Sequence, residues 1–152
     1  MNNMTNNMKR LIVLILMAAL LPHAAIAQTG LHSDAVFKGQ VVPQNAMVEV
    51  KVRGRTLSRY RLTFYHSVRF NATAQQKASI NNLVERDAKQ AVSTETRKQG
   101  GRRSLILSLP PNGQMRRYLC YVSGGRGDKN AITLVYMEGK VESIDELRKL
   151  IQ

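Results

Sequence analysis

The chain has 152 residues, of which 23 are Lys or Arg and 10 are Asp or Glu, and its formal net charge is +13. This length suits one domain with a single modest core. The only cysteine is Cys120, which excludes an internal disulfide and a cysteine-based zinc cluster.

The N-terminal segment has the pattern of an export signal. Lys9 and Arg10 precede an apolar run, Leu11 to Leu21, that is too short to span a bilayer. Ala25-Ile26-Ala27 then gives the small-x-small pattern after which signal peptidases cut. We expect residues 1–27 to be a signal peptide and the product to be soluble, in the periplasm or secreted. The alternative is an uncleaved membrane anchor.

The next segment, residues 28–45, mixes Gly, Pro and Asn with a brief apolar cluster, Ala35-Val36-Phe37. This composition predicts a flexible N-terminal lead that holds a single helical turn. Residues 46–152 are then predicted to form one domain. Without Lys9 and Arg10, 21 basic residues remain against ten acidic ones, so the processed chain carries a net charge of +11.

Two strands and a helix follow along the chain. Valines alternate with charged residues from Met47 to Val52, which predicts a half-buried strand. Residues 60–70 fit both helical spacing and strict alternation, and their aromatic and β-branched content favours a strand. Thr73 and Gln76 form a predicted capping box that begins a helix of about Ala74 to Lys98, and Gly100-Gly101 is predicted to end it.

The C-terminal half predicts a hairpin, a strand and a helix. Ser104 to Leu109 and Gln114 to Ser123 flank a Pro-Pro-Asn-Gly turn, and residues 131–137 form a further strand. Ser143 with Glu146 predicts a second helix cap. If Leu109 pairs with Gln114, one hairpin face carries Leu105, Leu107, Tyr118, Cys120 and Val122.

These elements predict an α+β fold. Its core would be a mainly antiparallel sheet of about five strands, with the long central helix and the C-terminal helix packed on one face. The other face of the sheet would be exposed to solvent.

Several short motifs resemble a family of small secreted proteins of unknown function from Bacteroides-type gut bacteria. The similarity extends from about Met47 to the C-terminus and implies a periplasmic or cell-surface setting, but it implies no activity. The residues that carry it are Gly54, Leu57, Tyr60, Leu62, Ser67, Leu83-Val84, Asp87-Ala88, Leu109-Pro110-Pro111, Arg117-Tyr118 and Thr133 to Gly139.

The sequence contains no convincing catalytic or metal-binding motif, and we predict no cofactor. His32 and His66 do not have metal-ligand spacing, and His66 alternates with core positions, which favours a buried structural histidine over a ligand or general base. Cys120 lies among apolar residues and is predicted to be a buried thiol. A reactive thiol or an intermolecular disulfide is the alternative.

Basic and aromatic residues alternate with the predicted core positions of the strands. The strand assignments place Lys51, Arg53 and Arg102 on the exposed sheet face, together with predicted ligand-binding residues Arg59, Arg61, Tyr65, Arg69, Arg117 and Tyr121. Guanidinium groups bind phosphate and carboxylate oxygens, and tyrosine rings stack on sugars. A merely solvated surface that keeps the protein soluble is the alternative.

Two functional hypotheses follow from these observations. The first is a noncatalytic envelope protein whose basic sheet face binds an anionic glycan, a lipid head group or an envelope protein. Export makes nucleic acid an unlikely partner. The second is a periplasmic enzyme whose site is not visible in the sequence, which a deep pocket joining His66 or Cys120 to a carboxylate would favour.

Overall fold

The computed structural model describes residues 30–125 and 127–151, the last two as backbone only. The predicted signal peptide lies outside this part of the chain. The described elements, in chain order, are α1 (Asp34–Phe37), β1 (Val48–Arg53), β2 (Leu62–Asn71), α2 (Ala74–Gln90), β3 (Ser93–Gln99), β4 (Arg102–Asn112), β5 (Met115–Ser123), β6 (Ala131–Gly139) and α3 (Ile144–Ile151). A 3-10 helix, Arg55–Tyr60, connects β1 to β2.

The sheet confirms the predicted α+β class and antiparallel pairing, with six strands where about five were expected. Its strand order is β1-β2-β6-β5-β4-β3. The β1–β2 hairpin forms one edge, α2 carries the chain to the opposite edge, and β3 to β6 return as a meander that ends beside β2. This arrangement leaves β1 and β3 as the two edge strands.

Helices pack on both faces of the sheet, so the prediction that both helices lie on one face is wrong. On the α2 face, Ile80 and Val84 pack with inward residues of the strands such as Leu107 and Leu134. On the α3 face, Leu147 packs with Tyr118, Cys120, Met137 and the 3-10 helix residue Leu57. Because neighbouring strand residues point to opposite faces, β5 and β6 supply side chains to both clusters.

Helix α2 ends earlier than predicted, and its expected last turns form strand β3. The capping box is present, since Gln76 N–H donates to Thr73 Oγ1 and Thr73 N–H donates to Gln76 Oε1. Ala91 has extended backbone, with ψ 145°, and Val92 is 71% exposed. Hydroxyl and β-branched residues dominate the start of β3 and favour a strand over a helix. Gly100-Gly101 therefore forms the β3–β4 hairpin turn instead of a helix stop.

The β4–β5 register also differs from the predicted one. Leu109 pairs with Arg117 and Asn112 pairs with Met115, and the irregularity between these two pairs contains the two prolines. The bulge adds one residue on β4, and an odd shift of register reverses every side-chain direction relative to the partner strand. Leu105 and Leu107 therefore share a face with Leu119 and Tyr121, whereas Tyr118, Cys120 and Val122 point to the α3 face.

The N-terminal segment is not a flexible lead but part of the core. Val36, Phe37 and Val42 are buried in the cluster beneath α2. The buried carboxylate of Asp87, on α2, fixes this segment through four hydrogen bonds. It accepts from the backbone N–H groups of His32 (2.7 Å) and Ser33 (3.0 Å), from Ser33 Oγ (2.5 Å) and from His32 Nδ1 (3.0 Å).

Candidate functional site

The α3 face is covered by α3 at one end only, and its other end presents a polar row across the sheet. Cross-strand pairing places Arg69 of β2 beside Thr133 of β6, Thr133 beside Val122 of β5, Val122 beside Ser104 of β4, and Ser104 beside Arg97 of β3. Both arginines of this row are exposed. This end of the sheet therefore combines two cations with short, mostly polar side chains.

A cavity of about 310 Å³ lies next to this row, a volume at the lower limit of small-ligand sites. Arg69 and Arg102 line it together with mostly small residues at and near the ends of β5 and β6. The other lining residues are Val122, Gly124, Gly125, Asp128, Ala131 and Thr133. With strands about 4.8 Å apart, the two arginine Cα atoms are about 16 Å apart, close enough for both guanidinium groups to contact one sugar-sized ligand.

The charges around this cavity favour an anion. No carboxylate in the described part of the chain lies within salt-bridge distance of Arg69 or Arg102. Asp128 lines the cavity, but its Oδ1 already accepts hydrogen bonds from the backbone N–H groups of Asn130 (3.0 Å) and Ala131 (3.1 Å). The two guanidinium groups can therefore donate to phosphate, sulfate or carboxylate oxygens of a ligand.

Arg59 and Arg61 lie at the opposite end of β2 from Arg69. Eight residues of strand correspond to about 26 Å, so one compact ligand cannot contact both ends. Arg59 lies on the 3-10 helix, with its guanidinium 4.9 Å from the centre of the Tyr60 ring. Arg61 has a left-handed backbone (φ 56°) and forms a 2.5 Å ion pair with Glu146 on α3. A second cavity at this end is lined by Arg61, Arg116, Lys140 and Glu142, and its Arg61 is the arginine that already pairs with Glu146.

Tyr65, Arg117 and Tyr121 do not complete the predicted surface. Tyr65 is half-buried on the α3 face, where it packs against the cluster beneath α3. The shifted hairpin register turns Arg117 and Tyr121 to the α2 face. Arg117 Nε donates to Tyr136 Oη (2.9 Å), and Tyr121 is buried with its hydroxyl donating to Asn81 Oδ1 (2.5 Å). The prediction that these two residues share an exposed face with Arg69 is therefore wrong.

Asp87, His32 and Ser33 have the residue types of a hydrolytic triad but not its geometry. In such a triad the serine hydroxyl contacts the imidazole, and the carboxylate contacts the other ring nitrogen. Here the Ser33 hydroxyl and the imidazole of His32 both contact Asp87 directly. We interpret the cluster as an anchor for the N-terminal segment. Sequence reasoning missed it because 55 positions separate His32 from Asp87.

His66 is a buried histidine, as predicted. Its side chain is 3% exposed, Nε2 lies 2.6 Å from Glu49 Oε1, and the ring packs 4.7 Å from that of Phe37. The Arg69–Arg102 cavity contains neither His66 nor Cys120. An enzyme would have been favoured by a deep pocket that joins one of these groups to a carboxylate. This cavity does not have that arrangement.

We expect the stability of the domain to fall as the pH drops below about 6.5. Burial lowers the pKa of His66 from its usual value of 6.5, an effect that the hydrogen bond to Glu49 only partly opposes. The folded state therefore favours neutral His66. The contribution of neutral His66 to the free energy of unfolding is complete above pH 6.5 and is lost as the pH falls toward the lowered pKa. Between about pH 7.5 and pH 5.5, the urea midpoint of His66→Gln should decline less than that of the parent. An equal decline of the two midpoints with pH would contradict this assignment.

Comparison with known proteins places the chain in a family without assigning it an activity. Among the described residues, no group of three or more His, Cys, Asp or Glu side chains could hold a metal ion. The described helices include none with the length and apolarity needed to cross a membrane. Neither a curated protein nor a solved structure gives a significant match. The sequence profile of DUF6108, a family of unknown function, matches residues 20–151, and the chain therefore belongs to this family.

Proposed function

We propose that this protein is a noncatalytic binding domain that holds an anionic glycan through the Arg69–Arg102 cavity. The observation that carries the proposal is that two exposed arginines without a carboxylate partner in the described chain line one cavity together with mostly small residues. Small lining residues let a sugar ring approach the sheet, while the guanidinium groups bind its acidic substituents.

The proposal extends to the setting of the protein. The A-x-A site and the short apolar run support export, and the resemblance to small secreted proteins of Bacteroides-type gut bacteria supports a periplasmic or surface location. A net charge of +11 on the processed chain attracts anionic polymers over a longer range and speeds their encounter with the site. The cavity then supplies the short-range contacts that a net charge alone does not provide.

Replacement of Arg69 and Arg102 by glutamine should weaken binding to heparin at least about tenfold, because two charge-assisted hydrogen-bonding groups are lost. The matched control replaces Arg55 and Arg86, two exposed arginines on the 3-10 helix and on α2, and removes the same net charge. We expect a loss of about threefold or less for this control. Isothermal titration at several salt concentrations measures both effects.

The outcomes separate a site from diffuse attraction. Equal losses in the two double variants would show that the cavity is only part of a solvated basic surface. If the parent does not bind heparin but binds vesicles that contain phosphatidylglycerol, and Arg69→Gln/Arg102→Gln weakens that binding, the ligand is a lipid phosphate instead of a glycan. Parent-like binding of both variants to both probes would refute the proposed function.

A further inference from the structure

Strand β1 is an edge strand whose outer side is unpaired in the described structure. It pairs only with β2. Two of its valines are unusually exposed, Val48 at 69% and Val50 at 46%. Natural edge strands are commonly protected from pairing with another chain by charges, bulges or prolines. Edge strand β3 consists only of polar and charged residues, whereas β1 presents valine at every second position between its charged residues.

Alternate residues of β1 direct their backbone N–H and C=O groups to the free edge of the sheet. Gly54 N–H donates to the carbonyl of Thr63, which continues the β1–β2 register by one residue. In an antiparallel ladder, residues in hydrogen-bonded pairs direct both backbone groups to their partner, and the residues between them direct both away. Gly54, Val52, Val50 and Val48 therefore point their backbone groups to β2. The N–H and C=O groups of Glu49, Lys51 and Arg53 face the free edge.

We propose that β1 pairs with β1 of a second copy of this chain, antiparallel about a two-fold axis at Val50. Opposite residues of an antiparallel pair share a face, so Val50 meets the same residue of the second copy. Val48 of each copy then meets Val52 of the other. Glu49 of each copy meets Lys51 of the other. The backbone groups of both residues face the free edge, so the two residues can form hydrogen-bonded pairs across the interface.

The charges of β1 favour this register over the two adjacent registers. A shift of the two-fold axis to Lys51 places two lysines directly opposite each other, and a shift to Glu49 places two glutamates there. Like charges directly opposite each other destabilise a strand pair, whereas opposite charges stabilise it. The Lys51-centred register also pairs Glu49 with Arg53 in both directions, but it retains the Lys51–Lys51 contact. Of these three registers, only the Val50-centred one makes two complementary ion pairs without a like-charge pair. Glu49 can join one of them because its bond to His66 uses Oε1 and its side chain remains 38% exposed.

The proposed pairing also covers the exposed valines. Val48 and Val50 would each gain a valine neighbour across the interface, which removes apolar surface from water. The large net positive charge of each copy opposes this association, but salt screens it within about 10 Å at 0.1 M. The pairing extends the sheet across both copies, with the two α3 faces on the same side.

Charge reversal on β1 tests the pairing. At physiological ionic strength, sedimentation equilibrium should show a dimer for the parent, and Lys51→Glu should weaken dimerisation about tenfold because it places glutamates opposite each other. The double variant Glu49→Lys/Lys51→Glu restores opposite charges and should recover dimerisation. Lys98→Glu, the same reversal on edge strand β3, should have no effect. A monomeric parent, or a double variant weaker than Lys51→Glu, would overturn the proposal.

Cysteine cross-linking tests the register directly and does not depend on charge. Opposite residues at a non-hydrogen-bonded position have Cα atoms about 4.5 Å apart, within the range for a disulfide. Val50→Cys should therefore form a disulfide-linked dimer under mild oxidation. Val48→Cys should not, because its counterpart lies about 13 Å away along the strand. Cross-linking of Val48→Cys as efficient as that of Val50→Cys would overturn the two-fold register.

Discussion

Replacement of Asp87 by alanine should destabilise the domain by about 3 kcal/mol or more. The carboxylate is fully buried and accepts two backbone and two side-chain hydrogen bonds from His32 and Ser33. Its removal leaves buried donors without an acceptor, and each such donor costs about 1–3 kcal/mol. The loss should also release residues 31–42 from α2. Urea unfolding measures the first effect, and limited proteolysis measures the second.

Asp34→Ala is the matched control for this substitution. Asp34 lies in the same N-terminal segment, but its partner Lys38 is 62% exposed and the ion pair is a surface pair four residues apart. Such pairs contribute about 0.5 kcal/mol or less. If the two alanine variants had similar urea midpoints, the Asp87 cluster would not be the anchor described above.

A single methyl group added at Gly139 should be nearly as damaging, with an expected loss of about 3 kcal/mol. A Cβ atom there would lie 2.3 Å from the carbonyl oxygen of Arg61 and 2.7 Å from Leu62 Cα. Both are backbone atoms, which cannot move away as a flexible side chain can. Relief of the clash would disturb the start of β2 and the 2.8 Å bond from Lys140 N–H to the same carbonyl.

Gly125→Ala provides the comparison, because the added Cβ meets nothing within 4 Å. Its stability should stay within about 0.5 kcal/mol of the parent. Thermal and urea unfolding of both variants measure the difference. A Gly139→Ala variant as stable as Gly125→Ala would show that the approach of β2 to β6 is looser than the described geometry.

The sequence allowed the local elements to be predicted where one signal dominated. Alternating valines identified β1, the Thr73–Gln76 capping box identified the start of α2, and Ser143 accepts the predicted cap bond from Glu146 N–H. The prediction went wrong where two signals overlapped. Apolar residues at helical spacing continued only to Ala91 and Val92, and Gly100-Gly101 predicted a helix stop, although the hydroxyl-rich residues 93–96 suit a strand.

The candidate site could be predicted only in part. The regular alternation of β2 is enough to predict that Arg69 points away from the face of Phe64 and His66, and Arg69 is exposed there with Arg102 on the same face. Arg117 and Tyr121 were misplaced because one bulged residue near Pro110 reverses the direction of the side chains of β5 relative to β4. Local periodicity carries no information about such a bulge. The contact of Asp87 with the N-terminal segment likewise depends on tertiary packing.

The cover that α3 provides has a chemical consequence for Cys120. The thiol is buried in the cluster beneath that helix, and burial raises its pKa to about 12. At pH 7 only about one molecule in 10⁵ then carries the reactive thiolate. Oxidants and electrophiles therefore meet an inert group as long as the helix is docked. Oxidation of this cysteine therefore requires the protein to open, and its extent depends on how often the protein opens rather than on the redox potential of the surroundings.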